Sequence, residues 1–124
     1  MRTFLLISVG AILGANLRYL VGQLSARFFS SSLPIGTLLI NISGSLVLGF
    51  FLVWTGERVL ADPRWRLLVA VGFCGGYTTY SSYAYETFAL LEQGQWLASI
   101  GNIVLTNVLC LLGTAAGAAL ARLL

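Results

Sequence analysis

Four long apolar runs, separated by short clusters of charged and turn-forming residues, dominate the pattern of this chain. They extend over about Thr3 to Leu24, Pro34 to Thr55, Leu67 to Leu91 and Trp96 to Leu120. A helix needs about 20 mostly apolar residues to cross roughly 30 Å of hydrocarbon, so each run predicts a membrane span. The first break holds Arg27, the serines Ser30, Ser31 and Ser32, and Pro34; the second holds Glu57, Arg58, Asp62, Pro63, Arg64 and Arg66; the third runs from Glu92 to Gln95. Trp54, Trp65 and Trp96 stand where an aromatic belt places them. The run after Arg2 continues past Gly10 and Gly14 without a cleavage site and reads as a span, not a signal peptide.

Composition agrees with an all-α membrane protein built as one four-helix transmembrane domain over residues 1–124. Hydrophobic residues make up 58% of the chain and charged ones 9%, more apolar surface than a soluble domain of 124 residues can hide. All seven basic residues are arginine, and the net charge is +3. They flank spans, where lipid phosphates are their natural partners, so nucleic acid is not expected. Four spans put both termini on one side with Arg2, Arg58, Arg64, Arg66 and Arg122, against Arg18 and Arg27 on the other. The positive-inside rule favours cytoplasmic termini, though by a margin small enough to leave mixed orientation open. With no histidine, neither a Ser-His nucleophile nor a histidine zinc site can be assembled, and the carboxylates near Glu86 all lie toward the surfaces, so no enzyme is expected. Cys74 and Cys110 fall inside spans without metal-ligand spacing and read as small buried hydrophobes.

Small residues predict how the helices meet. Gly10 with Gly14 and Gly113 with Gly117 form GxxxG pairs, and Gly44 and Gly49 serve likewise in the second span, letting backbones approach where lipid supplies no hydrophobic drive. The third span differs. From Tyr77 to Tyr85 every residue except Ala84 carries a hydroxyl, and Gly75–Gly76 followed by Thr78–Thr79 makes poor helix. A helix break near Gly75 to Thr79 is expected, and backbone freed at that depth must be buried in protein or face water. Freed carbonyls suit a hard cation such as Na⁺, whereas hydroxyl protons and aromatic ring edges suit an anion; these residues alone leave the sign open.

Further polar groups lie at membrane depth: Asn16 and Arg18 in the first span, Asn41 and Ser43 in the second, Asn102, Thr106, Asn107 and Thr114 in the fourth. Such groups face a bundle interior or a water path. Four helices cannot bury them all and also wall a pore, so an oligomer, most simply a homodimer, is expected. Two other functions fit the size: a dual-topology multidrug or proton-coupled exporter, which favours a carboxylate deep in the first span that is absent here, and an accessory assembly subunit, which needs no hydroxyl-dense break.

Three stretches carry a family resemblance: Gly14-Ala-Asn-Leu-Arg18-Tyr19, the run from Pro34 through Thr37 to Asn41, and the segment Gly72 to Glu86. The last is the most specific, being similar to the pattern GxxGGxTTFSTF followed shortly by glutamate. On these residues the chain resembles the CrcB, or Fluc, family of fluoride channels along nearly its whole length. The resemblance implies a fluoride-selective channel in the cell membrane that exports fluoride passively. It also implies an antiparallel, dual-topology homodimer with two pores between subunits. A structural Na⁺ at the dimer centre would be held by the backbone carbonyls of Gly75 and Thr78. Asn41 is similar to the family's pore asparagine; Thr37, Ser81, Ser82 and Thr114 fall on or beside its hydroxyl track, with Cys110 where serine is common. Arg18 corresponds to an arginine expected to draw anions to the vestibule. Tyr80 and Tyr83 replace the two phenylalanines whose ring edges face fluoride. A phenol keeps that electropositive edge and adds a donor.

Overall fold

The computed structural model describes residues 1–57 and 62–124; Arg58, counted above with the basic residues of the second break, lies outside them. Helix α1 is Arg2–Phe28 and α2 is Ile35–Gly56. A third helix, α3, is continuous over residues 63–77 and is built from an α-helical turn Pro63–Trp65, a wide π-helical stretch Arg66–Cys74 and a final turn Gly75–Tyr77. After two extended residues, α4 follows over Tyr80–Glu92 and α5 over Trp96–Leu123. No strand occurs among the described residues.

Local chemistry explains these boundaries. Pro34 precedes α2, and Asp62 caps α3 by accepting from the Arg64 N–H at 2.9 Å, with Pro63 at the first helical position. Gly94, at φ +71°, makes the left-handed turn between α4 and α5. Helix α1 outlasts its apolar run, continuing through Ser25 and Arg27 to Phe28. Three helices, α1, α2 and α5, are each long and apolar enough to cross a membrane. The third span is divided instead: α4 has 13 residues, about 20 Å of helix, and completes a crossing only together with α3.

Glycines set the packing. A Cβ on Gly10 would strike the Leu68 carbonyl and one on Gly14 the Phe73 carbonyl, while in return a Cβ on Gly72 would lie 2.6 Å from the Ile7 carbonyl oxygen and one on Gly76 2.6 Å from that of Ala11. Two GxxxG faces, Gly10/Gly14 and Gly72/Gly76, thus meet backbone to backbone between α1 and α3. The second predicted pair acts alike: Gly117 meets the Leu46 carbonyl and Gly113 that of Ile42, with Gly49 of α2 against Thr114. Both contacts run in parallel register, and an exposed ion pair between Arg122 and Glu57, 3.2 Å apart, closes the same end of α2 and α5.

The distribution of side chains is that of a protein dissolved in lipid. Ser99, Asn102 and Cys74 are at most 2% exposed, while Phe4, Leu97 and Leu111 are at least 72% exposed. Polar groups inside and large apolar groups outside follow when the solvent is hydrocarbon.

Candidate functional site at the helix break

The interruption between α3 and α4 is two residues long. Thr78 has φ −77° and ψ 158°, and Thr79 has φ −150° and ψ 115°, both extended. The glycines of the expected break are not its site: Gly75 and Gly76 stay helical, and the β-branched threonines, which favour extended backbone, carry the turn. Thr78 closes α3 by donating from both its N–H and its hydroxyl to the Cys74 carbonyl, at 2.9 and 2.8 Å. Thr79 opens α4, its hydroxyl oxygen accepting from the Ser82 N–H at 3.2 Å while donating to Ser82 Oγ at 3.0 Å.

Asn41 pins the break from α2. Its Nδ2 donates to the Thr79 carbonyl at 3.0 Å, and its Oδ1 accepts from the Thr79 N–H at 2.8 Å, both buried. The carboxamide substitutes for the peptide group a neighbouring strand would supply, satisfying both backbone groups of a residue that has no helical partner.

Two donors are thereby diverted. In an unbroken helix the Thr79 N–H would serve the Gly75 carbonyl and the Ser82 N–H would serve that of Thr78. Asn41 takes the first and the Thr79 hydroxyl takes the second. Gly75 and Thr78 are therefore among the four carbonyls, with Gly76 and Tyr77, that the break leaves without α-helical donors, and Gly75 is on the exposed surface of the single chain. Thr78 retains a long contact, 3.5 Å, from Arg18 Nη1, which brings the Arg18 side chain to the break. Uncharged carbonyl oxygens fit a hard monovalent cation. Among the described residues no cluster of three or more His, Cys, Asp or Glu offers a different metal site.

The expected site residues do not share one cavity. A cavity of about 380 Å³ below the break joins Asn41, Thr78, Tyr80, Tyr83 and Thr114, together with Cys110 and Asn107. The Tyr80 and Tyr83 rings lie 5.4 Å apart at 60°, so one ring edge tilts toward the neighbouring face. Thr37 lies apart from them, one helical turn before Asn41, in a second cavity of about 350 Å³ with Ser25, Ser31 and Glu86. There the Thr37 hydroxyl donates to Glu86 Oε1 at 2.8 Å, while Glu86 Oε2 is buried without a partner. Ser81 and Ser82 line neither cavity and are tied to the Thr79 hydroxyl.

Three contacts escaped the residue pattern. Glu86 is recognisable as a carboxylate in an apolar run, but its pairing with Thr37 joins residues 49 apart in sequence. Ser43 Oγ and Tyr77 Oη lie 2.9 Å apart across α2 and α3. A buried network ties α4 to α5: Thr87 donates to the Tyr83 carbonyl at 2.7 Å, Asn102 donates to Thr87 Oγ1 at 2.9 Å, and Ser99 donates to the Thr87 carbonyl at 3.2 Å. This network holds the half-helix that carries both tyrosines. Cys74 and Cys110 are free thiols.

Lipid-facing helices around a pinned helix break, with buried polar side chains between them, define a multi-pass membrane protein. The family model described as CrcB-like protein, Camphor Resistance (CrcB), matches residues 5–118, and the chain belongs to that family. It is 52% identical over 121 residues to a protein of Koribacter versatilis named fluoride-specific ion channel FluC, covering 98% of this chain and 96% of the relative. Proteins of the same name from Sulfurihydrogenibium sp. and Rhodospirillum rubrum are 48% identical over 124 residues and 46% over 113. The coverage is 100% of both chains in the first case, and 90% of this chain with 88% of the relative in the second.

Proposed function

We propose that this protein is a fluoride-selective channel that lets fluoride leave the cell down its electrochemical gradient, protecting the cytoplasm from fluoride that entered as HF. The observation that carries the reading is the Asn41–Thr79 clasp beside a cavity that Asn41, Asn107 and Thr114 line, in a chain that aligns over almost its full length with proteins named fluoride-specific ion channels. Fluoride leaving water loses strong hydration, which only several short-range donors can replace. Asn41 keeps one Nδ2 hydrogen beyond the one given to Thr79, Ser82 keeps its own hydroxyl hydrogen, and the tyrosine ring edges add weaker contacts. Arg18 biases the route toward anions. The Thr37–Glu86 cavity extends the polar route toward the other end of the helices.

The working unit is an antiparallel homodimer in mixed orientation. Asn107, Thr114, Ser81 and Tyr80 are exposed on the single chain at membrane depth, an arrangement that lipid alone disfavours and a second copy relieves. Each copy would contribute the Gly75 and Thr78 carbonyls to a structural Na⁺ at the dimer centre. These carbonyls would hold the ion, whose positive charge would offset their converging dipoles at the interface. Reconstituted protein in liposomes loaded with fluoride tests the function. Rapid efflux read by a fluoride electrode, without comparable chloride efflux, is expected; membranes that stay tight to fluoride overturn it.

A further inference from the structure

Tyr83 differs from Tyr80 in having a partner for its hydroxyl. Tyr83 is 8% exposed and Tyr80 79%. Asn107 Nδ2, on α5, donates to Tyr83 Oη at 3.3 Å and to the Ile103 carbonyl at 2.7 Å. The second bond fixes the orientation of the amide, since a carboxamide oxygen that close to a carbonyl oxygen would be repelled. Asn107 therefore presents only hydrogens to the phenol. A phenol oxygen that accepts keeps its own hydrogen free, and among the described residues no acceptor takes it. Both residues line the cavity that also holds Asn41 and Thr114.

We infer that Asn107 is a positioning residue that sets the hydrogen-bond polarity of Tyr83, making its phenol accept from α5 and offer its O–H to the anion in the cavity. The inference rests on the reading of the chain as a fluoride channel. It gives the tyrosine at this position a role that a phenylalanine ring edge cannot fill. A short O–H bond to an anion is stronger than a ring-edge contact and favours the small, strongly basic fluoride over chloride. Asn107 itself need not touch the ion: it acts by denying the phenol any other use of its oxygen and by holding the ring.

The test is a double-mutant cycle in liposomes, reading fluoride flux per reconstituted dimer and the fluoride-to-chloride permeability ratio. Tyr83→Phe is expected to lower flux about tenfold, the scale of one charge-assisted hydrogen bond, and to lower the ratio with it. Asn107→Leu is expected to lower both about threefold in the wild-type background and to change neither when Tyr83 is already Phe. Asn107→Ala replaces it if the leucine variant does not fold. A merely structural role for Asn107 would reduce the amount of active protein without moving the permeability ratio. Equal losses from the Asn107 variant in both backgrounds, or no loss in either, overturn the inference. A wild-type protein that passes no fluoride overturns the channel reading and this inference with it.

Discussion

Asn41 and Thr79 exchange two hydrogen bonds, Nδ2 to carbonyl at 3.0 Å and N–H to Oδ1 at 2.8 Å, across 38 residues of sequence. One side chain thereby completes the backbone bonding of the residue at which the third span is broken, and the interruption is stable in a membrane because of it. Removing the amide should leave two buried peptide groups without partners, at about 1–3 kcal/mol each. Asn41→Leu is expected to lower the stability of the detergent-solubilised protein by about 2–4 kcal/mol. Asn41→Asp, whose carboxyl must either take a proton or be buried as a charge, should also fall below the wild type and should do so more at high pH than at low. Thermal unfolding of the three proteins at one detergent concentration checks the order, and an Asn41→Leu protein as stable as the wild type would contradict the clasp.

Packing makes an independent prediction about glycines. A Cβ on Gly14 meets the Phe73 carbonyl and lies 2.8 Å from the Tyr77 nitrogen, both backbone atoms that cannot swing aside, whereas a Cβ on Gly101 meets nothing within 4 Å. Gly14→Ala should sharply reduce the yield of folded protein and Gly101→Ala should leave it within error, as judged by gel filtration. Comparable behaviour of the two variants would be inconsistent with the α1–α3 register.

Ring edges and hydroxyls can be separated at Tyr80, whose hydroxyl lies on an exposed side chain. Tyr80→Phe keeps the edge and is expected to retain most fluoride flux, while Tyr80→Ile, with neither edge nor hydroxyl, should reduce it at least about tenfold. Loss as complete in the phenylalanine variant as in the isoleucine one, with the protein still folded, would make the hydroxyl the working group.

Sodium should behave as a structural ion, because carbonyls that have lost their helical donors at Gly75 and Thr78 offer no charge of their own. Thorough replacement of Na⁺ by a larger organic cation is expected to lower dimer stability and flux together. Indifference of both would remove the cation from the account.

The architecture was legible to different depths. Apolar runs predicted the membrane class and its helical content, since a bilayer demands long uninterrupted hydrophobicity and internal hydrogen bonding. The hydroxyl-rich stretch after Gly75–Gly76 marked the break, but its exact place at Thr78–Thr79 depended on Asn41, a tertiary contact that no local propensity encodes. Gly72 and Gly76 have the same spacing as Gly10 and Gly14, but Gly76 falls within the expected break, and spacing within one helix does not say which helix a glycine face will meet. The π-helical winding of Arg66–Cys74 left no mark in the hydropathy. Thr37–Glu86 and Tyr83–Asn107 were beyond reach for the same reason as the clasp: each joins two helices, and periodicity within one helix says nothing of what its polar face will meet.

Passive conduction is decided by fluoride efflux from liposomes as a function of membrane potential, with the proton gradient collapsed and the potential clamped independently by a potassium ionophore. Efflux is expected to follow the potential and to persist without any proton gradient. Efflux that stops when the proton gradient is removed, while the potential is held, would contradict a channel and identify a proton-coupled exporter.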